Sequence, residues 1–246
     1  MHSIKIVGLG PGELDDLTIG TLRTLQAAEH VVLRTSRHPC VETLLPLLAP
    51  GCRVESCDDL YEEHAEFADV YAAIVARVLA AADQEDVVYA VPGHPWVGEA
   101  TTPQLLAQAH DRGSEITVVG GMSFVAPAFA AAGVDLMDGS QVCDAMLLAR
   151  QHYPQVETSL PLLAAQVYAR WLASDLKLTL LAAYPADHEV VVLRGAGTAA
   201  QGVERLPLEE LDRSDRFDHL TSVYIPPLAA YGSFTALLEL VAHLRA

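Results

Sequence analysis

The chain is short of cations. Its 246 residues carry 15 Lys and Arg against 32 Asp and Glu, a formal net charge of −17. A field of that sign works against binding nucleic-acid backbones or anionic membranes, although it leaves a local basic cleft open. Aromatic residues are scarce too, at 6% of a chain that is 51% hydrophobic, so Ala, Val and Leu have to fill the core. Cys40, Cys52, Cys57 and Cys143 form no C-x-x-C pair and no zinc spacing. They read as reduced thiols of a soluble cytoplasmic protein. No apolar run approaches the length needed to cross a bilayer, and the one near the N-terminus is broken by glycine too early for a signal peptide. G-x-S-x-G, H-E-x-x-H, internal repeats and low-complexity tracts are absent.

What is present starts at Ile4-Lys5-Ile6-Val7-Gly8-Leu9-Gly10-Pro11-Gly12. The apolar run reads as a buried strand and the alternating glycines as a tight loop. Asp15, Asp16 and Thr18 offer cap and first-turn residues for a helix through Leu22 and Leu25. In an open α/β sheet this places the loop at the carboxyl edge, where ligands bind. A Walker loop is excluded because no Lys follows the glycines. The dinucleotide fingerprint fails because Glu13 stands where its third glycine belongs. With Asp15 and Asp16, Glu13 would also repel a pyrophosphate. The loop therefore suits a neutral or cationic ligand held by backbone groups, or is a ligand-free turn.

A second loop, Pro92-Gly93-His94-Pro95-Trp96-Val97-Gly98-Glu99, follows the apolar strand Asp86–Val91. The pair of loops, G-x-G-P-G and then Y-x-V-P-G-H-P, resembles the tetrapyrrole methylase family over essentially the whole chain. More narrowly the sequence resembles the methylase-like domain at the N-terminus of MazG-type nucleotide pyrophosphohydrolases, through Leu33–Pro39, the Pro-Gly-His-Pro loop, Leu176–Leu181 and Tyr224–Leu228. Many family methyltransferases carry Asp where this chain has His94.

Along the rest of the chain, Val31–Leu33 reads as a strand, so Arg34, Thr35, Ser36, Arg37 and His38 also lie at the carboxyl edge. Arg34, Arg37 and His38 are the candidate substrate residues, since two guanidinium groups can hold a carboxylate or phosphate. The alternative is a solvated loop whose arginines pair with nearby acids. Val41–Leu48 reads as a short helix, Arg53–Ser56 as a strand and Tyr61–Ala82 as one long amphipathic helix. Glu62-Glu63-His64-Ala65-Glu66 matches the E-E-x-x-E metal motif only superficially. It lacks a second acidic helix and reads as an acid-rich first turn, so no metal site is expected. Further on, Thr101–Ala109 is a helix, Glu115–Val119 a strand, and Gly120–Phe124 leads into an Ala-rich helix. Val142–Ala145 reads as a strand, Leu162–Leu172 as a helix, and Lys177–Ala183 and Glu189–Leu193 as two strands in a hairpin-like connection. His219–Ile225 is one more strand. The fold expected is α/β, in two halves with a cleft between them. A parallel, Rossmann-like half spans residues 1–115 and a mixed-sheet half 116–228. Residues 229–246 form a C-terminal helix capped by Ser233, whose pattern is still running at Ala246, as if leading to a further domain.

The resemblance implies S-adenosyl-L-methionine as cofactor, held by Leu9, Pro11, Gly93, His94, Val97, Ser123 and Phe124. Ala183 and Gly195 would contribute from the second half. It also implies a homodimer and a fused MazG-type domain. Three functions follow: a methyltransferase for a small molecule, with His38 or His94 as base if one is needed; an S-adenosylmethionine- or nucleoside-binding regulatory module of a pyrophosphohydrolase; and an rRNA ribose methyltransferase. The acidic charge disfavours nucleic acid.

Overall fold

The structure, a computed structural model, describes residues 2–228. The expected C-terminal helix over 229–246, with its cap Ser233, lies outside the described residues. The chain divides into two compact units, Met1–Phe124 and Val125–Ala246.

The first unit runs β1 (Ile4–Gly8), α1 (Ile19–Gln26), β2 (His30–Leu33), α2 (Val41–Leu44), β3 (Arg53–Ser56), α3 (Leu60–Glu63), α4 (Phe67–Ala82), β4 (Val87–Val91), α5 (Thr101–Arg112) and β5 (Ile116–Val119). Its five strands lie in the order β3-β2-β4-β1-β5, every neighbouring pair parallel. Both faces of β4 are covered, which is why Val87–Val91 reads as an unbroken apolar run. Ile4, Ile6, Val87, Tyr89 and Val91 pack with Leu60, Ile74, Val78 and Leu105 of α3, α4 and α5. The intervening Val7, Val88 and Ala90 pack on the other face, with Leu25 of α1 and Val41 and Leu44 of α2. β5 follows the expected boundary at 115/116 and is hydrogen-bonded to β1.

The helix expected over Tyr61–Ala82 is two helices. His64 and Glu66 adopt extended backbone between α3 and α4. Leu60 is buried on its own, and the apolar 3–4 spacing starts only at Val70, so the charged segment between has no core face to hold it helical. At α1, Thr18 is the cap, its hydroxyl oxygen accepting the Thr21 N–H at 3.1 Å. Asp15 and Asp16 lie in a preceding 3₁₀ turn.

The second unit runs α6 (Val125–Ala132), β6 (Gln141–Asp144), α7 (Ala145–Ala149), β7 (Leu162–Ala165), α8 (Arg170–Leu180), β8 (Glu189–Arg194), β9 (Gly202–Pro207) and β10 (Thr221–Ile225). Its sheet, β6-β7-β10-β8-β9, is mixed as expected: β6 and β7 are parallel, and the other pairs antiparallel. Two assignments are corrected. Leu162–Ala165 is a strand rather than the start of a helix, because β6 and β10 flank it and satisfy its backbone on both sides. Lys177–Leu180 ends α8 rather than forming a strand, so no hairpin joins it to β8. The hairpin is β8–β9 instead. In α8, Leu172, Leu176 and Leu180 are buried at four-residue spacing while Leu178 is 63% exposed. Among the described residues, no helix is long and apolar enough to cross a membrane.

The phase of α8 gives a direct check. In urea unfolding, Leu176→Ala is expected to cost about 2–5 kcal/mol and Leu178→Ala less than about 0.5 kcal/mol. A strand would put both side chains on one face, and similar costs would contradict the helix.

Candidate functional site

At the carboxyl edge of the first sheet the loops after β1, β4 and β5 meet backbone to backbone. Leu9 N–H donates to Val91 O at 2.8 Å, and Gly10 and Gly93 exchange hydrogen bonds at 3.1 and 2.8 Å. A Cβ on Gly8 would stand 2.4 Å from Gly93 O, and one on Gly121 2.5 Å from the same oxygen. No side chain fits at either position. Gly93 differs: its φ is +65° and a Cβ there would meet nothing within 4 Å. It borders open space. Leu9 and Pro11 are buried beneath this edge, while Ser123 and Phe124, after β5, are half-buried.

The loop after β4 is shaped by its own side chains. His94 Nδ1 accepts the Trp96 N–H at 3.1 Å, and Val97 N–H donates to His94 O at 2.9 Å. This turn holds Val97 half-buried and leaves the Trp96 indole 55% exposed. The accepting Nδ1 places the proton of neutral His94 on Nε2.

Sequence reasoning missed Glu99. Its side chain is 2% exposed and ion-paired with Arg34 Nη1. The other carboxylate oxygen accepts from Thr101 N–H and Oγ1 at 2.8 and 2.6 Å. Thr101 Oγ1 in turn lies 2.9 Å from the Tyr89 hydroxyl. Arg34 Nε donates to Tyr61 Oη at 3.1 Å, and the guanidinium lies over the Tyr71 ring at 5.1 Å. Burial alone would lower the Arg34 pKa, but Glu99, Tyr61 and Tyr89 together outweigh it and raise it, so the group stays charged. Burial pushes the Tyr89 hydroxyl well up, with Glu99 adding to the shift. An acid seven residues after Pro92 is too ordinary a feature to have announced this network.

The loop after β2 is tied down next to it. Thr35 and Ser36 donate to Asp58 at 2.6–2.8 Å. Burial opposes ionisation of Asp58, but these donors prevail and hold it below the usual carboxylate value. Arg37 is exposed, 3.6 Å from Glu62. His38 is buried, with Nε2 3.0 Å from Gly10 O and Nδ1 3.2 Å from Cys40 Sγ. The structure thus brings Leu9, Pro11, Gly93, His94, His38 and Arg34 to one edge, with the Arg34 guanidinium turned inward. Among the described residues, no group of three His, Cys, Asp or Glu is placed to hold a metal ion.

In the second unit, Ala183 and Gly195 stand at opposite ends of β8. Ala183 lies in the turn that ends α8, its N–H donating to Leu180 O at 2.9 Å, while Gly195 follows β8 with φ +53°. Gln166, which sequence reasoning passed over as helix interior, follows β7 with φ +63°. Among the described residues it is the non-glycine residue with positive φ, a conformation that concentrates at functional positions. β7 and β8 are both antiparallel to β10, so Gln166 and Gly195 share one sheet edge.

Two outcomes test these interactions. Glu99→Gln leaves the Arg34 charge buried without its partner and is expected to cost about 3–5 kcal/mol in urea unfolding, more than the apolar pair Arg34→Met with Glu99→Leu. Burial lowers the His38 pKa from 6.5, against a smaller opposing pull from Gly10 O. The unfolded chain therefore takes up that proton first, and stability is lost as the pH falls below about 6.5. His38→Gln is expected to flatten that part of the unfolding midpoint's pH profile.

Comparison with known proteins places this geometry. Residues 3–212 match the family model for tetrapyrrole (corrin/porphyrin) methylases. The chain is 38% identical over 246 residues to the uncharacterized protein YabN of Bacillus subtilis, covering 98% of this chain and 49% of that protein. It therefore spans about half the length of this curated relative. Among solved structures, it is similar in fold to the uroporphyrin-III C-methyltransferase of Thermus thermophilus, with a TM-score of 0.69, 22% identity, and 92% of each chain covered. The cobalt precorrin-4 methyltransferase CbiF gives a TM-score of 0.66 at 19% identity, over 91% of this chain and 94% of that one. The fold is thus a known one, and the chain belongs to the tetrapyrrole methylase family.

Proposed function

We propose that this chain is an S-adenosylmethionine-dependent methyltransferase acting on a small molecule. The observation that carries the reading is the open space beside Gly93, where an added Cβ would meet nothing within 4 Å, at the carboxyl edge of a parallel sheet. The residues there fit the cofactor: the edge offers peptide groups and small or apolar side chains, and no phosphate-binding lysine. When bound, S-adenosylmethionine supplies an electrophilic methyl group on a sulfonium. Leu9, Pro11, Gly93, His94, Val97, Ser123 and Phe124 of the first unit would hold it. The protein's contribution would be orientation and exclusion of water, which need no covalent intermediate.

The same geometry narrows the acceptor. The Arg34 guanidinium is taken by Glu99, and His38 has both ring nitrogens engaged. Neither is placed as a free anion clamp or general base. Arg37 and the exposed Trp96 indole remain to meet an acceptor, which favours a planar compound with few negative charges over a polycarboxylate.

A second reading, an S-adenosylmethionine- or nucleoside-binding regulatory module of a MazG-type pyrophosphohydrolase, draws support from the relative of twice the length. An rRNA methyltransferase ranks third, given a net charge of −17. Assembly as a homodimer and a cytoplasmic location belong to the same proposal.

Calorimetry with S-adenosylmethionine and S-adenosylhomocysteine tests the shared premise. Saturable binding is expected, weakened about tenfold or more by Gly93→Ala, whose methyl group enters the open space. No binding at millimolar cofactor would remove both cofactor readings. Where the cofactor binds, transfer of its methyl group to a planar acceptor separates the enzyme from the module.

A further inference from the structure

The Gly10 carbonyl is where three loops are joined. It accepts the Gly93 N–H at 2.8 Å, and His38 Nε2 lies 3.0 Å from it. A carbonyl oxygen has two lone pairs, so one is used by the loop after β4 and the other by the loop after β2. Gly10 N–H donates back to Gly93 O at 3.1 Å. The orientation of the Gly10 carbonyl therefore sets one of the two hydrogen bonds of the bridge that borders the open space over Gly93.

The tautomer of His38 is set by Gly10 O, which can only accept. Nδ1 faces Cys40 Sγ at 3.2 Å, and the sulfur also lies 3.9 Å from Leu9 O. Burial pushes the Cys40 thiol up to about 11, so it keeps its one proton, for which Leu9 O and Nδ1 are the acceptors in reach. Nε2 carries the ring proton and donates it to Gly10 O. His38 is 6% exposed and Cys40 1%. Neither is presented to solvent to exchange protons with an acceptor molecule.

We propose that His38 is a positioning residue for the ligand of the glycine loops. With its Nε2–H committed to Gly10 O, it holds the Gly10 carbonyl and, through it, the Gly10–Gly93 bridge in the binding conformation. This rests on the reading that the edge binds an adenosyl cofactor, and assigns His38 a role distinct from substrate contact. Gln carries an Nε2–H donor at the reach of the imidazole Nε2, which provides a conservative substitute.

The test uses the full chain, with S-adenosylhomocysteine as probe and the ¹H–¹⁵N resonances of Gly10 and Gly93 as a second readout. His38→Ala is expected to weaken binding about two- to tenfold, the value of one buried hydrogen bond, and to shift both glycine amides. His38→Gln is expected to restore both, and Cys40→Ala to give a smaller loss that Cys40→Ser recovers. Unchanged affinity and amides in His38→Ala would overturn the proposal. So would a His38→Gln protein that folds but behaves like the Ala variant, because the hydrogen bond would then not be what matters. If His38→Ala does not fold, the Gln, Ser and Cys40→Ala variants carry the comparison. If the unsubstituted chain binds no probe, the cofactor reading fails, and the glycine amides alone still decide whether His38 holds Gly10.

Discussion

The carboxyl edge of the first sheet depends on backbone packing closer than any side chain permits. Gly8 ends β1, Gly93 and Gly121 lie in the loops after β4 and β5, and Gly93 O fills the space where Cβ atoms on the other two would stand. Close approach lets Gly10 and Gly93 bond to each other, and leaves the outer side of Gly93 open. Glycine here does two jobs, permitting contact at two positions and a left-handed turn with free space at another. A ligand at such an edge meets peptide groups first and side chains second.

Charge is arranged to keep that edge uncommitted. In a chain with 32 acids and 15 Lys and Arg, a cation that could clamp an anion is costly to spare. Arg34 is turned inward, where Glu99, Tyr61 and the Tyr71 ring surround it. The same contact joins the loop after β2 to the loop after β4. A buried pair of this kind adds little net stability over an apolar one, yet is strongly destabilising to break. It therefore fixes geometry more than it strengthens the fold. Asp58 does similar work for Thr35 and Ser36.

Short apolar runs were the ambiguous part of the sequence. Leu162-Leu163-Ala164-Ala165 has good helix formers and became a strand because β6 and β10 offer it ladders on both sides. Lys177–Leu180 looks strand-like and became the end of α8, where Leu176 and Leu180 reach the same core. Intrinsic preference is a weak prior against such neighbours. Gln166, lying just past the misassigned strand, was lost with it.

The sequence by itself determined the parallel first sheet, the mixed second sheet, the two glycine loops and the family. These follow from local patterns: buried parallel strands need continuous apolar runs, and tight loops need glycine at fixed places. Only the tertiary structure decided where the polar side chains point. Whether Arg34 and His38 face a ligand or the protein depends on Glu99, Gly10 and Cys40, and on the register that brings β1, β2 and β4 side by side. A buried polar group must find its partner across the fold, and spacing along the chain carries no record of which partner that is.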